Sequence, residues 1–368
     1  MTTFKEIRGT TIEAVSSDPA NPEVGQIWYN SSSGTLKGYK AVNTWSSAPS
    51  LNTARWGVAG AGASNTSALA FGGYNVPSAS VSSSESFNGS SWTNTPSLNT
   101  ARNYLGSAGI QTAALGFGGN NPGNNSLTSS ESYNGSSWTN TPSLNTGRRG
   151  LAGAGTQTAA LAFGGASTTP TTSTEKYNGT AWTANPTGLN TSRFYLAGCG
   201  LQTAALAFGG SPGGTATESF NGTSWTSVNS LNTSRYGLGG IGTQTAALAF
   251  GGQASPLTTA TELWNGTSWS SNPTGLGTAR YQLGGAGTQS LALAFGGQTP
   301  VTSATELWNG TSWTSNPTGL ATARYEVKGA GTQAAALAIG GGNPTNASPT
   351  ATEAWNTTGL RVRTITVS

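Results

Sequence analysis

The sequence predicts an all-β fold built from seven copies of one four-stranded unit. Seven double-glycine signals end short apolar runs, and their spacings are 42 to 46 residues. A Glu is followed seven residues later by a Trp in six of the copies, and an Arg precedes each copy. Regular repeats of this length with strand and turn signals, but almost no helix signals, are typical of solenoids and propellers. The first glycines are Gly72, Gly118, Gly164, Gly209, Gly251, Gly296 and Gly340.

Each repeat, counted from its Arg, is predicted to contain four strands, which we name a to d. A Gly-rich stretch such as YQLGGAG forms strand a, and a GTQ turn leads to an Ala-rich strand b such as TAALAFGG. A segment of variable length precedes strand c, which reads ESF, ESY or ELW. An Asn-Gly turn then leads to strand d, which begins with Trp, and both turn positions tolerate positive φ. We expect the Ala-rich strand b at a crowded place near the centre of the repeat array.

The two ends of the chain are predicted to complete one another. Trp45 stands ten residues before Arg55, so AVNTWSSAPS reads as a strand d without strands a to c of its own. The last repeat has Glu353 and Trp355 but lacks the Asn-Gly turn and the Trp of strand d. We therefore expect a seven-bladed β-propeller closed by an N-terminal strand, because closure removes exposed sheet edges. The alternating segment RVRTITVS at 361–368 either competes for that place or adds an outer edge strand.

The repeats resemble the kelch family, also seen in the propeller of galactose oxidase. The shared features are the double glycine after an apolar strand, an aromatic residue shortly before a Trp, and an Arg before the next unit, from about Tyr39 to Trp355. The resemblance implies four-stranded antiparallel blades. Asn replaces the family's common Asp after the aromatic residue, and these repeats are shorter than usual. The family mostly binds other proteins, so the resemblance predicts the fold more sharply than the function.

One Arg and one Glu recur at fixed positions in every repeat. Alternating strand directions bring the start of strand a and the start of strand c to one face, so we interpret the two residues as a structural pair. The alternative is a charged ring that grips a ligand. The residues are Arg55, Arg102, Arg148, Arg193, Arg235, Arg280 and Arg324, with Glu85, Glu131, Glu175, Glu218, Glu262, Glu306 and Glu353.

The composition argues against catalysis and against nucleic-acid binding. The chain has no His, and Asp18 is its only Asp, so His-containing triads and His metal sites are excluded. The net charge of +4 is scattered, without the Lys/Arg cluster that phosphate contacts need. No apolar run is long enough for a membrane span. We expect no enzyme activity, no cofactor, no metal, no nucleic-acid partner and no membrane insertion, with Cys199 as inert packing.

The variable b–c segments are predicted to form a recognition surface with the aromatic residues that follow each Arg. These segments differ among repeats, while the turns on the opposite face barely change, and variable loops on a uniform scaffold commonly carry recognition. The aromatic residues either belong to the core or stack on sugar rings. The candidate residues are Trp56, Tyr74, Asn75, Tyr104, Asn120, Asn121, Tyr195, Tyr236, Tyr281 and Tyr325.

Residues 1–34 are predicted to form an N-terminal arm, followed by the propeller at 35–368. The segment VSSDPANPEVGQIWYNSSSGTLKGYK resembles a short module of tail-fibre and other virion proteins of tailed bacteriophages. This resemblance implies an attachment element that contacts other virion proteins, and a homo-oligomer is one expected assembly.

The expected function is that of a non-enzymatic phage virion protein, a tail-fibre or capsid-decorating propeller assembled in the host cytoplasm. Its variable face would bind a host-surface glycan or another virion protein. The alternative is a bacterial cell-surface or filament-forming propeller that mediates adhesion outside the cell.

Overall fold

The computed structural model describes residues 12–20, 26–75, 79–343, 345 and 350–364. These residues form 32 strands and no helix. A helix long and apolar enough to cross a membrane is therefore not found among them. The chain divides into two compact units, Trp45–Trp355 and a smaller one comprising Met1–Thr44 and Asn356–Ser368. The all-β class predicted from the sequence is confirmed for the described residues.

The smaller unit contains β1 (Glu13–Val15), β2 (Ile27–Asn30) and the beginning of β3 (Thr35–Ala48). β1 runs parallel to β2, and β2 forms an antiparallel hairpin with β3. The predicted boundary between residues 34 and 35 falls at the first residue of β3, and the division of the chain at that point stays a prediction.

Asp18 organises this small β-structure through side chains of the predicted arm and of β3. Its carboxylate accepts hydrogen bonds from Trp28 Nε1 at 3.1 Å, Asn30 Nδ2 at 2.7 Å and Lys37 Nζ at 2.9 Å. The hydrogen bond from Lys37, followed by those from Asn30 and Trp28, lowers the pKa of Asp18. The contacts of Asp18 therefore hold this segment together.

In the larger unit, six antiparallel sheets share the strand order a–b–c–d that the sequence predicts. In the first repeat they are β4 (Ala59–Ser64), β5 (Ser67–Phe71), β8 (Ser84–Phe87) and β9 (Trp92–Thr95), with the small pair β6 (Tyr74–Asn75) and β7 (Ala79–Ser80) between strands b and c. The next five sheets are β10 (Gly106–Ile110), β11 (Ala113–Phe117), β12 (Ser130–Tyr133) and β13 (Trp138–Thr141); β14 (Ala152–Gly155), β15 (Ala160–Phe163), β16 (Thr174–Tyr177) and β17 (Trp182–Ala184); β18 (Ala197–Leu201), β19 (Ala204–Phe208), β20 (Thr217–Phe220) and β21 (Trp225–Ser227); β22 (Gly239–Gly242), β23 (Ala247–Phe250), β24 (Thr261–Trp264) and β25 (Trp269–Asn272); and β26 (Gly284–Gly287), β27 (Ala292–Phe295), β28 (Thr305–Trp308) and β29 (Trp313–Asn316).

The last repeat supplies only β30 (Lys328–Gly331), β31 (Ala335–Ile339) and β32 (Thr352–Thr364). The end of β3 lies beside β32, in the place that strand d occupies in the other sheets. The rings of Trp45 and Trp355 are 5.3 Å apart there.

The C-terminal segment differs from the expectation for 361–368. Residues 361–364 simply continue β32, so over this range they neither compete with the N-terminal strand nor form a separate outer strand. The physical reason is that the last strand c lacks the Asn-Gly turn that ends it in the other repeats. Residues 365–368 lie outside the described residues.

The a strands of neighbouring repeats lie against one another. β4 lies against β10, the same relation continues along the chain to β26 and β30, and β30 also lies against β4. Glycine permits this approach, because a Cβ at Gly153 would stand 2.7 Å from the Ser107 carbonyl oxygen. The Gly-rich strand a therefore lies where the repeats meet. The Ala-rich strand b, which the sequence analysis expected at that crowded place, is the next strand of each sheet.

Aromatic side chains fill the space between successive sheets. The rings of Trp182 and Phe117 are 5.0 Å apart, and Trp182 Nε1 donates to Ser130 Oγ of the preceding sheet at 3.1 Å. Trp45 repeats this pattern, since its Nε1 donates to Thr305 Oγ1 at 2.8 Å. Trp45 thus packs as the strand-d tryptophan of the last sheet.

The Asn-Gly turns form as predicted, but by a different mechanism. Only the glycine has a positive φ, as at Gly179 with 93°. Asn178 instead accepts hydrogen bonds at Oδ1 from the backbone N–H groups of Thr180 and Ala181, at 2.9 and 2.8 Å. The Asn side chain therefore stabilises the turn as an Asx motif.

In six repeats, a glutamine after strand a binds the preceding repeat, a role that the sequence analysis missed. Gln157 Nε2 donates to the carbonyl oxygens of Ala114 and Tyr133 in strands b and c of the preceding sheet. In the first repeat, Asn65 Nδ2 donates to the Trp355 carbonyl oxygen of the last sheet at 3.2 Å. The other residues that repeat the Gln157 arrangement are Gln111, Gln202, Gln244, Gln289 and Gln333.

Candidate functional site

Each repeat's Arg pairs with the Glu of the same repeat, and all seven pairs are buried. Arg Nη2 and Glu Oε1 are 2.7 to 3.1 Å apart in six pairs, and the contact between Arg102 and Glu131 is shorter. The Arg side chains are 0% exposed and the Glu side chains at most 4%. A ligand at the surface cannot reach these charges, which favours the structural interpretation over a ligand-gripping ring.

The Arg235–Glu262 pair illustrates what the charges hold together. Arg235 Nη1 donates to the carbonyl oxygens of Gly251 and Ala260, at the two ends of the variable segment. Glu262 Oε2 accepts hydrogen bonds from the backbone N–H of Asn232 at 2.7 Å and from its side-chain amide at 2.8 Å. Burial lowers the pKa of Arg235 to about 10, against the opposing charge of Glu262, so the guanidinium stays charged at neutral pH. The pair fixes one corner of the repeat.

The residues two positions after each Arg form a second set, which we call the inner set. Every member has a φ between 49° and 58°, although four of them are not glycine. Five backbone hydrogen bonds of 2.8 to 3.0 Å link six successive members, from Tyr104 to Glu326. In each, the N–H of one member donates to the carbonyl oxygen of the member before it. These hydrogen bonds hold a conformation that L-residues rarely adopt. The inner set consists of Gly57, Tyr104, Gly150, Tyr195, Gly237, Gln282 and Glu326.

Six members of the inner set line a cavity of about 270 Å³, here called the inner cavity, together with Lys328 and the Leu or Val residues that follow them. Small and large side chains alternate in chain order, and a Cβ at Gly150 would stand only 3.2 Å from the Tyr195 ring. The alternation ends at the last two members, where two long polar side chains, Gln282 and Glu326, stand next to each other.

Glu326 is the most unusual group in the inner cavity. Its Oε1 accepts hydrogen bonds from Gln282 Nε2 at 2.7 Å and from the Tyr104 hydroxyl at 3.3 Å. Its Oε2 is buried next to Gly57 and has no hydrogen-bond partner among the residues that the structure describes. Burial raises the pKa of Glu326 to about 7, and the hydrogen bond from Tyr104 opposes that change. The carboxyl thus retains an unused acceptor inside the protein.

Lys328 breaks the repeat at its own position. It pairs across β30 and β31 with Ile339, where another repeat pairs Gly106 with Phe117, so the lysine stem replaces volume that a Phe ring supplies elsewhere. Its Cγ would stand 2.9 Å from a Cβ at Gly60. Burial lowers the pKa of Lys328. The equivalent residues in the other repeats are Ala59, Gly106, Ala152, Ala197, Gly239 and Gly284.

Five of the predicted recognition residues come together in one aromatic cluster. The Trp56 ring lies 5.0 Å from that of Tyr74, 6.0 Å from Tyr104 and 6.3 Å from Tyr325. Tyr104 in turn lies 5.8 Å from Tyr195. All five are half-buried, so they are neither fully core nor free at the surface. Tyr104 and Tyr195 belong to the inner cavity as well.

Tyr236 lies apart from this cluster, in a groove of about 750 Å³ that we call the loop groove. The variable segments of the fourth and fifth repeats form its walls, with residues 210–214 on one side and 253–258 on the other, and the connection 232–236 between them. Tyr236 is 37% exposed. Its counterpart in the next repeat, Tyr281, is half-buried and lies outside the groove lining.

The predicted asparagine candidates are less accessible than expected. Asn120 is only 3% exposed, and its Nδ2 donates to Asn124 Oδ1 at 2.8 Å. Asn121 Oδ1 accepts the backbone N–H of Asn125 at 2.9 Å. The polar groups of Asn120 are therefore used within the loop, and its role in binding stays a prediction. Asn75 is half-buried at the end of β6, beside residues outside the described part.

Other reactive groups offer little chemistry in the part of the chain that the structure describes. No three His, Cys, Asp or Glu side chains gather there as metal ligands would. Cys199 is buried, and burial raises the pKa of its thiol to about 12. Because the thiolate is the reactive form, such a thiol is a poor nucleophile at neutral pH.

Comparisons with known proteins assign no family. No protein-family model matches the chain, and no curated protein matches its sequence. The structure defines the class more coarsely, as an all-β repeat protein with four-stranded antiparallel sheets, consistent with a β-propeller.

Proposed function

We propose that this chain is a seven-bladed, kelch-like β-propeller closed by its N-terminal strand. We further propose that it is a non-enzymatic adhesion protein of a phage virion that binds a host-surface glycan through its variable face. The loop groove is the observation that carries the binding proposal.

Contacts between the first and the last repeat support a closed ring. β30 lies against β4, as the a strands of successive repeats lie against one another. Asn65 donates to the Trp355 carbonyl oxygen, in the manner of the glutamines at the other junctions. Leu51 N also donates to the Thr350 carbonyl oxygen at 2.8 Å. An open array would leave these groups of the first and last repeats without partners.

The loop groove has the chemistry of a saccharide site. An exposed aromatic ring, Tyr236, offers a face for the apolar side of a sugar, and hydroxyl and backbone groups of residues 211–214 and 255–258 surround it. Concave sites with a few placed polar groups and aromatic surface favour small polar ligands. Its walls come from the segments that differ most among repeats, which is where specificity would be encoded.

The N-terminal arm supports the virion context. The segment around Asp18, Trp28 and Lys37 resembles virion modules, and these residues form the contacts that hold it together. In this proposal the arm contacts other virion proteins. A bacterial cell-surface propeller is the alternative, and peptides of the chain found in purified virions would decide against it.

A glycan array with the full chain tests the binding proposal. Tyr236→Ser should weaken the strongest glycan signal about tenfold, since an aromatic contact contributes up to about 1.5 kcal/mol beyond its buried area and about 1.4 kcal/mol is a factor of ten in affinity. Tyr281→Ser is the matched control, because it removes the same side chain outside the groove and should leave binding unchanged. Equal binding by both variants, or binding that survives replacement of 211–214 and 253–258 by the segments of another repeat, would exclude the loop groove.

A further inference from the structure

We propose that the inner cavity binds a small zwitterion whose ammonium group contacts Glu326 Oε2 and whose anionic group contacts Lys328. This site is separate from the loop groove and does not depend on glycan binding.

The ammonium end is assigned by the unused acceptor of Glu326. Both hydrogen bonds that the carboxyl receives, from Gln282 and Tyr104, go to Oε1. Oε2 is buried, and no described residue donates a hydrogen bond to it. A buried acceptor without a partner is costly, and a carboxylate oxygen is best satisfied by a charged donor. The small Gly57 beside Oε2 leaves room for such a donor.

The anionic end is assigned by Lys328. This residue lines the same cavity. Among the described residues, no ion pair joins its ammonium group to Glu326 or to another carboxylate. Six other repeats manage with Ala or Gly at this position, so the scaffold itself has no need of a charge there.

The combination of the two charges selects the ligand class. A simple amine would neutralise Glu326 and leave the half-buried Lys328 without a counter-ion in the cavity, and a simple carboxylate would do the reverse. An unpaired buried charge carries a large desolvation cost. A ligand with one positive and one negative group satisfies both walls and keeps the filled cavity neutral.

The remaining lining limits the size and the character of that ligand. Tyr104 and Tyr195 contribute ring surface, and Leu or Val side chains contribute apolar surface, which suits a short hydrocarbon spacer and a cation beside an aromatic ring. The volume of about 270 Å³ sets an upper limit on the size of the ligand. An aminoalkanoate with a short chain falls within that limit.

Isothermal titration calorimetry with aminoalkanoates of increasing spacer length tests this site. The probes are β-alanine, 4-aminobutanoate and 5-aminopentanoate, with butylamine and butanoate as controls that carry only one charged end. We expect one aminoalkanoate to bind with one-to-one stoichiometry and to bind more tightly than either control. Absence of heat and of ligand-induced stabilisation for every probe would mean that the cavity holds only water, and would overturn the proposal.

Two variants assign the ends of the ligand. Glu326→Gln and Lys328→Met should each weaken aminoalkanoate binding roughly tenfold to a hundredfold, because each removes a charge-assisted hydrogen bond. Thermal melts establish that both variants fold. Binding that is unchanged in both variants would refute the assignment, and unchanged binding in Lys328→Met alone would refute the zwitterion. Tyr236→Ser should bind the probe normally, so that failure of the loop groove and failure of this site are distinguishable.

Discussion

Removing the carboxylate of one buried corner should destabilise the larger unit by several kcal/mol. Glu262→Gln preserves the shape of the side chain but removes the charge that lies 2.9 Å from Arg235. The two carboxylate oxygens also accept hydrogen bonds from the backbone N–H groups of Asn232 and Thr233, at 2.7 and 3.2 Å. The amide NH₂ of Gln would face one of these donors or the guanidinium. Breaking a buried pair by removing one partner costs about 3–5 kcal/mol.

The expected change in melting temperature follows from the size of the unit. Trp45–Trp355 contains about 300 residues, and an unfolding entropy of about 2 cal/mol/K per residue turns this loss into a decrease of about 5–8 °C. Differential scanning calorimetry measures it directly. Replacing both partners, by Arg235→Met with Glu262→Leu, should recover part of the loss, since the corner then holds no unpaired charge.

A different outcome would refute the structural reading of the pair. If Glu262→Gln melts within about 1 °C of the unaltered protein and yet loses glycan binding, the repeat carboxylates act on a ligand and the buried corner has been misassigned. A double variant no more stable than Glu262→Gln would contradict the charge-based explanation and would instead point to packing at the corner.

Three further changes probe other parts of the molecule. Gln157→Ala should lower the free energy of unfolding in urea by about 1–3 kcal/mol, because two buried carbonyls lose their donor; no change would exclude the inter-repeat fastening. Asp18→Ala should speed hydrogen exchange of the Trp28 indole N–H, which loses its acceptor, and unchanged exchange would contradict that bond. Glu326 has a pKa of about 7 in the folded protein against 4.5 in a free side chain. The folded state therefore binds the extra proton, and stability should fall as pH rises through this window, by up to about 3 kcal/mol. The test compares Lys328→Met alone with the double variant that carries Lys328→Met and Glu326→Gln. The slope should be present in the first and absent in the second, and a slope that persists in the second would belong to another group.

The neighbours of Glu326 bear on that pH window. Tyr104, Tyr195 and Tyr325 face it, and burial raises the pKa of all three hydroxyls, so they stay neutral across the window. Lys328 lines the same cavity and has a lowered pKa. Its removal from both proteins isolates the carboxyl of Glu326.

Short-range patterns determined the strands and the corner pairs. The double glycine, the Asn-Gly turn and the strand-d tryptophan each mark a strand end within a few residues, so the order a to d follows from local chain geometry. The Arg235–Glu262 pair was also within reach, because antiparallel connections inside one repeat bring the starts of strands a and c to the same face. Trp45 could be assigned to the last sheet because its spacing to Arg55 repeats that of the later tryptophans.

Contacts between repeats were decided only by the tertiary structure. In the sequence, GTQ can be recognised only as a turn, because the carbonyl groups that Gln157 binds lie in another sheet. The inner set looks like an irregular mixture of Gly, Tyr, Gln and Glu until neighbouring sheets bring its members side by side. Gln282 and Glu326 are 44 residues apart in the chain, yet their side chains share a hydrogen bond. Sequence periodicity fixes what each repeat does internally, whereas the unused oxygen of Glu326 and the lone charge of Lys328 acquire meaning only from the packing of different repeats around one cavity.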